Sequence, residues 1–309
     1  MNICPFCGKN IDGKRWHESC SQSFFGTKKP PIVELSAAKM EAIAKEQLNE
    51  GKSVAGVQKK LSIHLDGSKG KRKRLTILGY PSGYIIKPQT SEYKQLPELE
   101  NACMLMAKAC GIDVVQNGLI EVEGKAAYIT KRIDRNGNDK IHMEDFCQAS
   151  NLSTSMKYRS SYEECAKVID RFSAFPSLDK SKMFKAIYFS FVVGNSDMHL
   201  KNFSFIMDEK GKYHLSPFYD LLPTKVVLPM DKEDLALLLN GKKEALNRQD
   251  FDIFAETIGL SKLAKEKIMS SVNSSVEKMK EIISKTDINQ HFKTTWVRLI
   301  EKNLRRMRD

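Results

Sequence analysis

The chain has 309 residues, 41% of them apolar, which is enough to bury most of its surface in about two domains and excludes a disordered or disulfide-stapled mini-protein. Seven cysteines, an odd number with no export-like pairing, point to a reduced cytoplasmic protein, and neither a leader before Cys4 nor an apolar run near ~18 residues suggests a membrane. Fifty basic against 38 acidic residues give a net charge of +12, compatible with ATP, nucleic acid or an acidic partner, although a solvated basic surface would read the same way.

The chain opens on Cys4-Pro-Phe-Cys7-Gly and continues to His17-Glu-Ser-Cys20. Two thiolates on a tight turn followed by an imidazole and a third thiolate suit tetrahedral Zn²⁺, and four protein ligands would leave no open position, so the expected role is structural. A redox pair or unligated cysteines are the alternatives. The other cysteines, at 103, 110, 147 and 165, stand in apolar helical contexts and read as small core residues.

Next comes Ser53-Val54-Ala55-Gly56-Val57-Gln58-Lys59-Lys60, between a helical stretch and a strand beginning at Leu61. A glycine lets backbone amides approach phosphate oxygens, and Ser53, Gln58 and Lys60 add donors and charge. With one glycine, the segment taken alone is also an ordinary turn. Alternating apolar runs at 61–65, 75–78, 83–86, 119–122 and 126–130 predict strands, and the segment Gly67 to Arg74 reads as a basic hairpin tip. Lys87 ends the third of these strands. The helix expected over 98–110 carries Glu98 and Glu100 in its first turn, where either could pair with Lys87 or merely complement the helix dipole.

From about residue 160 the periodicity becomes helical. Tyr162, Cys165, Ala166, Ile169 and Phe172 share a face, and Phe184, Ile187, Phe191 and Val192 form a buried helix leading into Val193-Gly-Asn-Ser-Asp197-Met-His199-Leu-Lys201-Asn202-Phe203. Asn202 stands five residues after Asp197, and Asp220 follows eighteen later in Phe218-Tyr-Asp220. Protein-kinase chemistry uses an Asp that accepts a hydroxyl proton, an Asn five positions on that holds one Mg²⁺, and a second Asp in the next loop that holds the other. A polar turn between a buried helix and a strand pair would show similar residues. Short strands are expected at 203–207 and 213–215, with mostly helix after Asp220. The order of phosphate loop, strand lysine, acidic helix, Asp/Asn loop and final Asp is much harder to obtain by chance than any one member.

These residues resemble the HipA-like serine/threonine kinases, toxins of bacterial toxin–antitoxin modules. The resemblance is carried by Ser53–Lys60, Ile86-Lys87-Pro88, Glu100-Asn-Ala-Cys103, Lys131-Arg-Ile133-Asp-Arg135, Glu144-Asp-Phe-Cys-Gln148, Gly194–Phe203 and Ser216-Pro-Phe-Tyr-Asp220, covering roughly residues 50 to 290. It is similar to the shorter HipT-like members, because only about fifty residues precede the glycine loop. The resemblance implies an α+β, two-lobed kinase-like fold: a knuckle at 1–30, a strand-rich lobe at 31–155 and a helical lobe at 156–309.

It also implies Asp197 as the catalytic aspartate, Asn202 and Asp220 as Mg²⁺ ligands, and Lys87 as the grip on ATP phosphates, with Glu100, His199 and Lys201 beside the nucleotide. Lys131 and Ile133 fall where the family's hinge meets adenine, yet they stand where an acidic and an aromatic residue are expected. The family phosphorylates a serine of its own glycine loop, here Ser53, while Ala55 occupies the place of a second such serine. Implied partners are a protein substrate of the aminoacyl-tRNA synthetase class, a helix-turn-helix antitoxin that brings the complex to DNA, and a small HipS-like protein. A pseudokinase scaffold should have lost one of Lys87, Asp197, Asn202 or Asp220, and all are present. A small-molecule kinase would share the phosphate machinery, and a DNA-binding regulator would need a groove-reading helix that is not apparent.

Overall fold

The computed structural model describes residues 3–12, 15–33, 60–66, 74–76, 83–137 and 139–308. The loop residues Ser53, Val54, Ala55, Gly56 and Gln58, and most of the basic tip, lie outside the described residues. No helix among the described residues is long and apolar enough to cross a membrane. The chain divides into two compact units, the first of Met1–Leu105, Val115–Lys140 and Ile282–Ile288, the second of Met106–Val114, Ile141–Glu281 and Asn289–Asp309.

The first unit is built on a six-stranded sheet in the order β1-β3-β2-β4-β6-β5. Its strands are β1 (Ile32–Val33), β2 (Leu61–Asp66), β3 (Arg74–Thr76), β4 (Tyr84–Pro88), β5 (Asn117–Val122) and β6 (Lys125–Lys131). All neighbours are antiparallel except β1 and β3. Alternation sends Leu61 and Ile63, Tyr84 and Ile86, Ile120 and Val122, and Ala127 and Ile129 into one core with Trp16, Phe24 and Phe25. The last three come from the Cys/His segment and its helix α1 (Glu18–Phe25), so that segment shares the sheet's core rather than having one of its own. Trp16 donates its indole N–H to the Leu119 carbonyl at 2.9 Å. A side chain at Gly118 would strike the Trp16 ring, with a Cβ only 2.4 Å from it.

Helix α2 (Leu96–Ala109) is apolar nearly all round and is buried accordingly up to Ala107. A small ribbon of β7 (Arg135–Asn136) and β8 (Asp139–Lys140) follows the sheet.

The second unit contains a three-stranded antiparallel sheet, β11-β10-β9, of β9 (Met143–Asp145), β10 (Ser204–Met207) and β11 (Tyr213–Leu215). The sequence division at 155 therefore falls inside this unit, because β9 pairs with β10. Helices α3 (Phe146–Ala149), α4 (Tyr162–Phe172), α5 (Pro176–Val193), α6 (Thr224–Val227), α7 (Arg248–Thr257), α8 (Lys262–Asn273), α9 (Val276–Lys285) and α10 (Gln290–Arg305) make up the rest, with the end of α9 counted in the first unit. Tyr162, Cys165, Ala166 and Ile169 face inward as expected. Phe172, the last residue of α4, is 37% exposed and only leans on Phe205. Between α6 and α7 the expected helix gives way to turns and single bridges, anchored by buried Leu235, Ala236, Leu237 and Leu239.

Candidate functional site

In the second unit the buried helix α5 ends at Gly194, whose φ of 78° is the left-handed conformation that closes a helix at least cost in glycine. Leu299 of α10 closes the space beside it, since a Cβ at 194 would lie 2.4 Å from Leu299 Cδ2. α10 also satisfies the last carbonyls of α5: Trp296 Nε1 donates to Val193 O at 3.0 Å, and Asn303 Nδ2 to Phe191 O at 2.8 Å. The chain thus enters the loop 195–203 from a fixed point. Tyr162 donates its hydroxyl to Met198 O at 3.0 Å from below, and its complete burial raises its pKa well above the usual phenol value, so it remains a donor.

The loop brings Asp197, Asn202 and Asp220 into one unit. Asp197 is half-buried; its backbone N–H donates to Asn195 Oδ1 at 3.2 Å, and its Oδ1 accepts the Tyr158 hydroxyl at 2.5 Å. Buried Asn202 accepts the His199 N–H at Oδ1, 3.0 Å, and its amide nitrogen lies 3.4 Å from Asp220 Oδ2. Asp220 holds a φ of 63°, a region that Asp tolerates better than most residues, and one that marks a position with a special orientation to keep. The Asn202 amide turns its nitrogen to Asp220 and its oxygen to the His199 N–H; that oxygen, which keeps a second lone pair, and the carboxylate are hard oxygen donors of the kind Mg²⁺ takes when phosphates complete its shell. The residues present therefore fit that ion.

His199 is buried, with its ring edge-on to Tyr158 at 4.9 Å, a position that shapes the loop. Lys201 makes an ion pair with Asp145 at 2.7 Å, and Tyr219 donates to the Lys201 carbonyl at 2.9 Å, so these contacts tie the loop to β9 and to the Asp220 segment.

In the first unit Lys87 Nζ donates to Glu100 Oε1 at 2.5 Å, with both side chains almost wholly buried, and lies 5.3 Å from the centre of the Tyr128 ring. Of the two carboxylates expected near Lys87, Glu100 is the partner. Glu98 is instead raised in pKa by burial. Removing one partner of the buried Lys87–Glu100 pair would leave the other charge uncompensated, so each holds the other in place. Lys60 is exposed at the start of β2, Lys131 is exposed at the end of β6, and Ile133 is half-buried just beyond it.

Cys4, Cys7, His17 and Cys20 converge, with one ligand atom from each all within 4.8 Å of one another. Sequence reasoning missed Tyr158, Asn195 and Asn101. Tyr158 lies 39 residues before Asp197 in an irregular stretch, and nothing in its neighbours signals the contact. Asn195, two residues from Asp197 inside the loop motif, was legible as a polar neighbour but not as a partner.

A family model for the HipA-like C-terminal domain matches residues 52–286. "Putative kinase Y4mE" of Sinorhizobium fredii is 32% identical over 248 residues, covering 76% of this chain and 57% of its own length. A protein of Haemophilus influenzae named "Putative kinase" is 29% identical over 287 residues, covering 83% of this chain and 82% of its own. Thus the chain spans little more than half of the first relative but most of the second. Among solved structures, Shewanella oneidensis HipA, in its complex with HipB and operator DNA, superposes with a TM-score of 0.70 at 23% identity, over 86% of this chain and 71% of the other. The Helicobacter pylori proinflammatory kinase CtkA gives 0.54 at 16% identity, over 79% and 91%, so the mixed α+β architecture is a kinase-like fold. The chain belongs to the HipA-like C-terminal domain family.

Proposed function

We propose that the chain is an ATP-dependent serine/threonine protein kinase acting as the toxin of a toxin–antitoxin module. The observation that carries this reading is the placing of Asn202 Nδ2 3.4 Å from Asp220 Oδ2, in the same loop system as the Tyr158-bound Asp197. Asp197 takes the proton of the acceptor hydroxyl, and Tyr158 fixes which way that carboxylate faces. Asn202 and Asp220 would hold Mg²⁺ through their oxygens, and Lys87, set in place by Glu100, would meet the nucleotide phosphates. Bound MgATP would supply the γ-phosphoryl group to the acceptor oxygen, with ADP as the leaving group.

Ser53 is the proposed site of self-phosphorylation, by resemblance to the family. A phosphate there would add close to two negative charges to a loop built to receive ATP phosphates, and should switch the enzyme off. An aminoacyl-tRNA synthetase is the proposed external substrate. A helix-turn-helix antitoxin is the proposed partner, supported by the HipB and operator DNA bound to the Shewanella relative.

The test is to incubate phosphatase-treated wild type and Asp197→Asn with Mg²⁺ and γ-labelled ATP and to locate the label by mass spectrometry. Label on Ser53 in wild type alone supports the reading. Nucleotide binding without transfer to the chain, or to any protein of a translation extract, overturns it in favour of a scaffold.

A further inference from the structure

The Cys/His segment is not used by the phosphotransfer reading, yet it is bonded to the helix that carries Glu100. We propose that Cys4, Cys7, His17 and Cys20 hold a structural Zn²⁺, and that this zinc knuckle braces helix α2 and so the position of Glu100.

The geometry is that of a tetrahedral site. His17 Nδ1 lies 3.4 Å from Cys7 Sγ and 3.7 Å from Cys20 Sγ. A zinc with bonds of about 2.3 Å to sulfur and about 2.0 Å to nitrogen puts those atoms roughly 3.6 Å apart. The backbone is shaped for it: Gly8 N–H donates to Cys4 O at 2.9 Å and Cys4 N–H to Lys9 O at 2.8 Å, a tight turn closed by Gly8 at a φ of 70°. The other ring nitrogen supplies an independent sign. His17 Nε2 lies 3.0 Å from the Asn10 carbonyl, which can only accept, so Nε2 carries the proton and Nδ1 turns its lone pair to the thiols. A ligating histidine almost always gives its other ring N–H to a carboxylate, a backbone carbonyl or a water. Three thiolates and an imidazole make a closed set, which gives the ion a structural role.

The bracing follows from what the turn touches. Buried Asn101, next to Glu100 on α2, donates to the Pro5 carbonyl at 2.8 Å, between the first two cysteines, and to Asn117 Oδ1 at 3.0 Å. The Gly8 position faces Leu105, one turn further along the same helix, with a Cβ placed there 3.6 Å from Leu105 Cδ2. From the opposite side Trp16, Phe24 and Phe25 anchor the segment in the sheet core beside Tyr84, and Tyr84 donates its hydroxyl to Phe24 O at 2.8 Å. The knuckle therefore joins β4, which carries Lys87, to α2, which carries Glu100. That last connection matters for catalysis only through the kinase reading, whereas the metal and the brace do not depend on it.

The experiment measures zinc by mass spectrometry of the purified full chain and amide exchange over residues 96–107 before and after chelation. One zinc per chain is expected, with faster exchange in α2 once it is removed. Cobalt substitution should give the absorption of a tetrahedral thiolate site. His17→Cys should keep the metal, Cys7→Ser and His17→Ala should lose it, and Cys103→Ser, outside the cluster, should keep it. Asn101→Ala separates metal from brace: it should retain zinc while α2 exchanges faster. A chain that takes up no zinc from a micromolar supply, or that forms a Cys4–Cys7 disulfide under reducing buffer, overturns the site. Zinc bound with α2 exchange unchanged by chelation and by Asn101→Ala overturns the brace. Absence of kinase activity would bear on neither.

Discussion

The two compact units build their chemistry in opposite ways. In the second, Asp197, Asn202 and Asp220 come from one stretch of chain, hung from Gly194 and tied by backbone and side-chain bonds to their immediate surroundings. In the first, Lys87 on a strand and Glu100 on a helix meet through an almost wholly buried ion pair, held by a core to which a third segment contributes Trp16, Phe24 and Phe25. A contiguous loop can be damaged at one residue without loss of fold, whereas an assembled pair cannot. Asp197→Asn should therefore lower phosphotransfer by about 10²–10⁴-fold, the range for a positioned base, with unfolding temperature and nucleotide affinity nearly unchanged. A large drop in the melting temperature of this variant would break the contrast.

The pair should respond differently. Lys87→Met removes the cation from a buried carboxylate and should cost about 3–5 kcal/mol of stability by urea unfolding, together with nucleotide binding. Lys87→Met combined with Glu100→Gln should recover a good part of that stability but none of the binding. If the double variant were as unstable as the single, burial of the charge would not be the cause.

This contrast also explains what could be read from the chain. The spacing of Asp197, Asn202 and Asp220 is local, and the strands at 61–65, 83–86, 119–122 and 126–130 announce themselves by alternation, so both were legible. That Glu100 rather than Glu98 meets Lys87 depends on the rotation of α2 about its axis, which first-turn residues of like charge do not disclose. Tyr158 reaches Asp197 from an irregular segment with no periodicity, and Asn101 looks like any polar residue in a helix until its partner at Pro5 is known. The stretch 228–247 lies within the part after Asp220 expected to be mostly helix. Leu235, Ala236, Leu237 and Leu239 are instead buried without helical bonds, as tertiary contacts override local preference.

The fixed entry to the loop offers a sharper test of the second unit. Gly194→Ala places a Cβ against Leu299 in a backbone conformation that disfavours side chains, and overpacking of this kind costs about 1–3 kcal/mol. Activity should fall further than stability alone accounts for, because the shift is transmitted to Asn195 and Asp197. Adding Leu299→Ala removes the steric part and should restore some of both, and no restoration would show that the backbone angle alone is limiting. Tyr158→Phe should be milder, lowering kcat by up to about tenfold with the KM for ATP unchanged, since one hydrogen bond to a charged group is lost.

The smallest effect is expected where the second unit pairs a buried carboxylate with a partly exposed arginine. Arg306 grips Asp234 with two nitrogens, at 2.5 and 3.1 Å, and Lys225 stands 3.3 Å away. Burial works to raise the Asp234 pKa, but the Arg306 hydrogen bonds and charge outweigh it, so the carboxyl is held below its ordinary value. A carboxyl lowered by folding contributes stability that is complete above its unfolded pKa, about 3.9, and is lost as the pH falls towards its folded value. Thermal unfolding of wild type should therefore decline more steeply below about pH 4 than that of Asp234→Asn, which should start lower and run flatter. Unlike Lys87 and Glu100, this pair straps the 228–247 segment to the C-terminal helix end and has two cations for one carboxylate, so the variant should keep nucleotide binding. A loss of binding in Asp234→Asn at neutral pH would show that the strap, and not only the loop, positions Asn202 and Asp220.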